Sequence, residues 1–199
     1  MRVDSIATGA DRCKRHAASG HEFPAADAHE RVLRQASAAA VFVAGELVDP
    51  DGACYSPDVA HFETTIEIAA PPQRVWDVMS NLERWPDWTQ SMSKVERLND
   101  RPVGVGSRVR VKQPRLAAAV FDITSWNPPC GFDWVTRNPL VTAVARHDIA
   151  LSAAGSRVTL SVTFSGPLGG VIAWVYGSLT QRYVQMEAEG LRRRAEQPT

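Results

Sequence analysis

One order of elements constrains this chain more than any other feature: an alternating strand, two short helical turns, six strand-like segments and one long closing helix. In the opening strand Phe62, Thr64, Ile66 and Ile68 share one parity, and Glu63, Thr65 and Glu67 share the other. That alternation predicts a strand buried on one face only. Pro71 and Pro72 end it, and Pro72 suits the first turn of a helix whose apolar face is Val75, Trp76, Val78 and Met79. Asn81 is placed to cap a further short turn over Leu82–Trp85, which Pro86 stops.

The next strands are predicted at Lys94–Leu98, Arg108–Lys112, Ala118–Trp126, Phe132–Arg137, Leu140–Ser152 and Arg157–Phe164. Turn chemistry separates them, at Asn99–Gly106, at Asn127-Pro128-Pro129-Cys130-Gly131, at Asn138-Pro139 and at Ala153–Ser156. Short spacers between strands argue a continuous antiparallel meander. Gly166-Pro167 then opens a helix running to Arg194, with Leu168, Ile172, Val175, Leu179, Tyr183 and Met186 as its expected apolar stripe. Arg192, Arg193 and Arg194 lie at its C-terminal end, where positive charge complements the helix dipole. The expected class is α+β: a curved antiparallel sheet wrapped around a long C-terminal helix, with an internal cavity between them.

Residues 1–60 read differently. They are rich in Ala, Asp, Gly, His and Ser without clear period, and only 28–43 carries a weak helical stripe. The expected organisation is a largely flexible extension over 1–60, with one loosely attached helix at 28–43, followed by a domain at 61–196. An alternative reading makes the extension a translated leader ahead of a downstream start. Six Lys/Arg against nine Asp/Glu in this part leave the remainder slightly basic, and the whole chain has zero net charge. Such a balance points to neither nucleic acid nor an acidic membrane as partner.

The N-terminus lacks the apolar core of a secretory signal, and the apolar run Ala36–Val48 is interrupted by Gly45 and Glu46 and too short to span a bilayer. Three cysteines, Cys13, Cys54 and Cys130, have no C-x-x-C spacing and indicate neither a disulfide framework nor a zinc knuckle. A reduced, cytoplasmic protein without an integral membrane segment is the expectation.

Several familiar chemistries find no support in the sequence. It contains no G-x-S-x-G elbow, Walker loop or complete dinucleotide fingerprint, so no cofactor is expected. His16, His21 and His29 lie near Glu22 and Glu30, but in the least patterned segment, and no metal site is expected. On the long strand, Ala143, Ala145, His147, Ile149 and Leu151 share the apolar parity, so His147 should point inward with room beside its ring. Two roles are open to it: a core histidine satisfied by one hydrogen bond, or a polar anchor and general acid/base. Phe121 and Ile123, and likewise Phe132 and Trp134, face inward as core or cavity wall. Tyr183 lies in the helix stripe with Tyr176 seven residues before it, and two roles are open to it: simple core packing, or a hydroxyl reaching into a cavity. Arg108, Arg110, Lys112 and Asp122 read as a solvated strand face.

The run Ile66-Glu67-Ile68-Ala69-Ala70-Pro71-Pro72-Gln73-Arg74-Val75-Trp76-Asp77-Val78, followed by Leu82-Glu83-Arg84-Trp85-Pro86-Asp87-Trp88, resembles the opening of the SRPBCC or START-like superfamily, in particular its polyketide cyclase/dehydrase-like branch. Gly104–Val109, Gly155–Leu160 and Gly166–Gly169 agree with it, and the resemblance covers residues 61–196. It implies the helix-grip (Bet v 1/START-like) fold with a deep, mostly apolar cavity; the turn holding Trp85 and Trp88 then either lies near the entrance or packs against the sheet edge. The expected ligand-binding set is Trp88, Phe121, Ile123, Phe132, Trp134, Ala145, His147, Ile149, Ile172, Tyr176, Leu179 and Tyr183. His147 and Tyr183 are the candidates for proton transfer. Three functions follow: binding of a small hydrophobic molecule such as a lipid, quinone or polyketide-like compound; polyketide cyclase/dehydrase-like aldol closure with loss of water; or a protein-interaction module with a vestigial cavity. A second inward acid/base beside His147 would favour the enzyme, and the sequence displays no clear one.

Overall fold

The computed structural model describes residues 59–198, together with three short strands before them. These are β1 (Val41–Val43), β2 (Glu46–Val48) and β3 (Cys54–Tyr55), which pair antiparallel in a small sheet of their own. The helix expected over 28–43 lies outside the described residues up to 40, and 41–43 are extended. The histidine group at 16–29 also lies outside them.

The main sheet begins with β4 (Ala60–Ile68), whose Glu63, Thr65 and Glu67 are exposed while Ile68 is buried. Helix α1 (Pro72–Met79) follows, with Pro71 extended at its N-cap and Pro72 in its first turn. A 3-10 helix spans Leu82–Asp87. Two of its features differ from expectation. The Asn81 side chain makes no capping bond; its backbone carbonyl accepts from the Arg84 N–H instead. Pro86 lies inside the helix rather than ending it. It follows Trp85, whose carbonyl accepts from the Trp88 and Thr89 N–H groups, so the proline stands at the first position of a new turn, where no N–H donor is needed.

Then come β5 (Lys94–Arg97), β6 (Arg108–Lys112), β7 (Ala119–Asn127), β8 (Gly131–Arg137), β9 (Thr142–Ser152), β10 (Gly155–Ser165) and α2 (Gly169–Ala195). The sheet order is β4-β10-β9-β8-β7-β6-β5, antiparallel throughout, so the meander expected from turn spacing is present and β4 closes it next to β10. A register shift between Ile123 and Ser125 marks a bulge in β7, a device that increases local twist and bend. Helix α2 packs on β4 and β10, and α1 packs on α2. The helix-grip fold is therefore observed.

The tightest core lies where α1 and the 3-10 helix meet the C-terminal half of α2. Ile68, Val75, Met79, Leu82, Trp85, Phe132, Ala188, Leu191 and Ala195 all belong to it. The Trp85 indole N–H donates to the Met79 carbonyl oxygen at 2.8 Å, which satisfies a polar atom inside that core. On the outer face Arg108 pairs with Asp122 at 3.2 Å and Arg110 lies 3.8 Å from Glu96, so the solvated strand face is as expected. No helix among the described residues is long and apolar enough to cross a membrane.

The apolar stripe expected on α2 holds in part: Tyr183 is buried and Ile172, Leu179 and Met186 are half-buried, but its N-terminal members turn outward. Val175 is 51 % exposed and Leu168 37 %, whereas Gly177, Tyr183, Glu187, Ala188, Gly190, Leu191 and Ala195 are buried. Two glycines set that phase. A Cβ on Gly177 would meet the Phe62 ring at 3.0 Å, and one on Gly190 would meet the Trp88 carbonyl oxygen at 2.3 Å. Close approach at these positions turns the neighbouring residues inward.

Candidate functional site

Between α2 and the concave face of the sheet lies a cavity of about 210 Å³. Its walls are apolar: Phe121, Trp134, Ala143, Ala145, Leu160, Val162, Phe164 and Val184. Loop residues Leu116 and Ala117 line its outer part, and His147 with Glu187 lines its deep part, at 3 % and 8 % exposure.

Strand alternation in β9 puts Ala143, Ala145 and His147 on the cavity side. The imidazole is not surrounded by small aliphatics alone. It stacks on the Phe132 ring with centroids 4.3 Å apart and planes 9° from parallel, and meets Trp134 and Trp85 edge-on at 5.3 and 5.5 Å. Phe132 can stand opposite His147 because Gly131 has no side chain. Gly131 has φ +135°, and a Cβ there would lie 2.0 Å from the His147 carbonyl oxygen.

Hydrogen-bond geometry limits the protonation of this site. His147 Nδ1 lies 3.3 Å from the Phe132 carbonyl oxygen, which only accepts, so Nδ1 carries a hydrogen and donates it. Nε2 lies 3.3 Å from Glu187 Oε1. Two arrangements satisfy that contact: a carboxylic acid donating to a neutral imidazole, or an imidazolium donating to a carboxylate. In either case the pair has no net charge and holds one proton between Nε2 and Oε1. A buried pair of this kind avoids the large cost of an isolated charge.

Glu187 is the residue that sequence reasoning missed. Counting four positions on from Tyr183 along the helix reaches it, but a carboxylate does not register in a search for an apolar stripe. It supplies the second inward acid/base that the sequence did not display.

Tyr183 lines the cavity, but its hydroxyl is engaged. It donates to the Pro114 carbonyl oxygen, tying α2 to the β6–β7 connection. Arg115, next in that connection, has φ +64°, a left-handed conformation uncommon for a non-glycine residue. The Lys112 ammonium donates to the Leu116 carbonyl oxygen and braces the same loop.

Of the residues expected to bind ligand, Phe121, Trp134, Ala145, His147 and Tyr183 come together around the cavity. Ile123, Phe132 and Ile149 are in the core, and Trp88 packs against it, beside Gly190 rather than at an entrance. Ile172, Tyr176 and Leu179 lie on the N-terminal half of α2 and do not line the cavity. Asp133 lies between Phe132 and Trp134 on β8, and burial raises its carboxyl above the ordinary value, partly offset by the Arg146 guanidinium. Among the described residues no group of three His, Cys, Asp or Glu is placed to hold a metal ion.

Residues 59–196 match the family described as polyketide cyclase / dehydrase and lipid transport. The uncharacterized protein Rv2574 of Mycobacterium tuberculosis is 25 % identical over 67 residues, a match that spans 34 % of this chain and 40 % of that relative's length. Among solved structures, TTHA0849 from Thermus thermophilus has a TM-score of 0.58 at 18 % identity, covering 68 % of this chain and 97 % of that one. The Zhui aromatase/cyclase from Streptomyces sp. R1128 has a TM-score of 0.57 at 18 % identity, covering 69 % and 94 %. At these identities the likeness is one of fold.

Proposed function

Because the chain belongs to the polyketide cyclase/dehydrase and lipid transport family, we propose that it binds a small, mainly apolar molecule and anchors one polar group of it at His147 and Glu187. The observation that carries this reading is a buried proton-sharing pair at the deep end of a mainly apolar cavity. Few polar groups in an apolar pocket fix orientation without a large desolvation cost. The pair's protons are engaged with the Phe132 carbonyl and between Nε2 and Oε1, so it offers the second carboxyl oxygen of Glu187 as an acceptor, which suits the hydroxyl of an enol or phenol, as in a polyketide-like ring. The size sets a limit. About 210 Å³ lies below the roughly 300–1,000 Å³ usual for drug-sized ligands, so one or two rings fit and a long chain does not fit entirely inside. We take residues 61–196 as the binding domain and 1–60 as an appended extension.

The pair itself favours a second reading, catalysis of aldol closure and dehydration. Here the carboxylate of Glu187 takes a proton from the carbon beside a ligand carbonyl, the resulting enolate attacks a second carbonyl carbon, and His147 protonates the alkoxide formed. The neutral His147 then takes the second proton from the attacking carbon, the carbon–carbon double bond forms, and the hydroxyl leaves as water with the proton held by Glu187, which restores the pair. Each transfer needs the reacting atom within about 3 Å of the acid or base. Binding is the primary reading because cavity volume restricts the chain that such chemistry would fold.

Native mass spectrometry of the purified protein, followed by extraction of bound material, tests the proposal. A small co-purifying ring compound is the expected result, displaced in the His147→Leu/Glu187→Leu variant. That compound is then incubated with the wild-type protein; conversion with loss of water establishes the second reading. An empty protein that also ignores a panel of quinones and phenolic rings would refute both.

A further inference from the structure

The outer face of the N-terminal half of α2 has no partner among the described residues and is strongly apolar. Trp174 is 87 % exposed, Val171 53 %, Val175 51 %, Tyr176 38 % and Leu168 37 %. Leu140, 51 % exposed in the β8–β9 turn, joins this patch, because its carbonyl accepts from the Leu168 N–H at 3.1 Å. Large exposed apolar patches mark interaction sites. The spacing of 168, 171, 174 and 175 places these residues on one side of the helix.

Charge distribution identifies the partner. Three segments converge at this end of the molecule: 112–121, 134–147 and 164–186. Their contacts are Tyr183 hydroxyl to Pro114, Leu168 to Leu140, and joint lining of the cavity by Leu116, Thr136, Ala143, Phe164 and Thr180. Together they hold the cations Lys112, Arg115, Arg137 and Arg182, whereas Arg146 stands in one row across the sheet with the carboxylates of Glu63 and Asp133. These four cations are exposed. An apolar, tryptophan- and tyrosine-bearing helix face at an end that carries four exposed cations combines the two signals that hold a protein on an anionic bilayer. A second copy of the chain fits less well, because a two-fold contact would bring each copy's cations against the other's.

We propose that this end of the molecule, with Trp174 at its apex, docks on the surface of an anionic lipid bilayer and brings the cavity mouth at Leu116 and Ala117 toward the lipid. The inference stands on the surface alone and does not depend on which molecule the cavity takes.

The test is co-sedimentation of the full chain with vesicles of phosphatidylcholine alone and of phosphatidylcholine and phosphatidylserine in equal parts, with no ligand added. Binding to the second and not the first is expected. Trp174→Ala and, separately, Arg137→Glu with Arg182→Glu should each weaken it by about tenfold or more, with unchanged circular dichroism. No binding to anionic vesicles, or binding that ignores both variants, would overturn the proposal. So would either rival occupant. A dimer in solution that Trp174→Ala dissociates would assign the face to a second copy. Trp174 shielded from acrylamide quenching in the free protein, judged against Trp174→Phe, would assign it to the chain's own residues 1–58.

Discussion

Removing His147 and Glu187 singly and together gives the sharpest test of the site. The two side chains are 4 % and 10 % exposed, and their nearest polar atoms are 3.3 Å apart. Glu187→Leu deprives a buried imidazole nitrogen of its partner, a loss of about 1–3 kcal/mol. His147→Leu strands a buried carboxylate, a loss of about 3–5 kcal/mol. The double variant strands neither group and fills the space with apolar atoms, so its cost should stay near 1 kcal/mol or less, as for other buried pairs replaced together. The singles therefore sum to several kcal/mol and the double falls short by about 3 kcal/mol or more. Water in the cavity would soften both single losses and leave the sign of the coupling unchanged. Urea unfolding followed by circular dichroism measures all four proteins. In thermal melts the coupling corresponds to roughly 6–12 °C, at about 2–4 °C per kcal/mol for a chain of this size. If the double variant loses as much as the two singles combined, the side chains do not act as one proton-sharing pair, and the anchor assigned to the ligand disappears with it.

Gly131→Ala forces a Cβ to within 2.0 Å of the His147 carbonyl oxygen at a backbone φ of +135°, so a loss of about 4 kcal/mol or more is expected in urea unfolding. A loss below about 1 kcal/mol would mean that β8 and β9 do not approach so closely. Tyr183→Phe removes the hydroxyl donated to Pro114 and should cost about 1 kcal/mol, while stopped-flow mixing with a hydrophobic dye shows faster entry as the β6–β7 loop loosens. Unchanged entry would separate that bond from cavity access. Asp133 predicts a pH effect. Its folded-state carboxyl is raised above 3.8, mainly by burial, so the protonated form favours folding and that stability is lost as pH rises through the folded value. Asp133→Asn should therefore gain stability relative to wild type between about pH 4 and neutrality, and melts that show the opposite slope would refute the assignment.

Local pattern was enough for the elements. Alternation in β4 and β9, punctuation by Pro71, Pro128 and Gly166, and one long run of helix formers define the meander and its closing helix, because these signals act over a few neighbouring residues. The inward parity of Ala143, Ala145 and His147 follows from the same two-residue period. The cavity-lining subset of the aromatics did not. Phe132 and Trp134 share a parity, yet Trp134 lines the cavity and Phe132 is covered by His147 and Trp126. Parity states which face a residue takes and not what lies across from it.

Helix α2 shows the boundary most clearly. Its length and amphipathic character belong to the amino-acid sequence. Its rotation about its own axis was decided by contacts at Gly177 and Gly190, residues that carry no hydropathy signal because their contribution is the absence of a side chain. That rotation turned Val175 outward and Glu187 inward, and brought a carboxylate within 3.3 Å of an imidazole far earlier in the chain. A periodicity search ranks positions by their own polarity, whereas the site depends on distance between two elements packed across a cavity. Strands, long helix and inward histidine are written in short-range pattern. The partner of that histidine is a product of packing, since close approach of backbone to backbone sets which helix face meets the sheet.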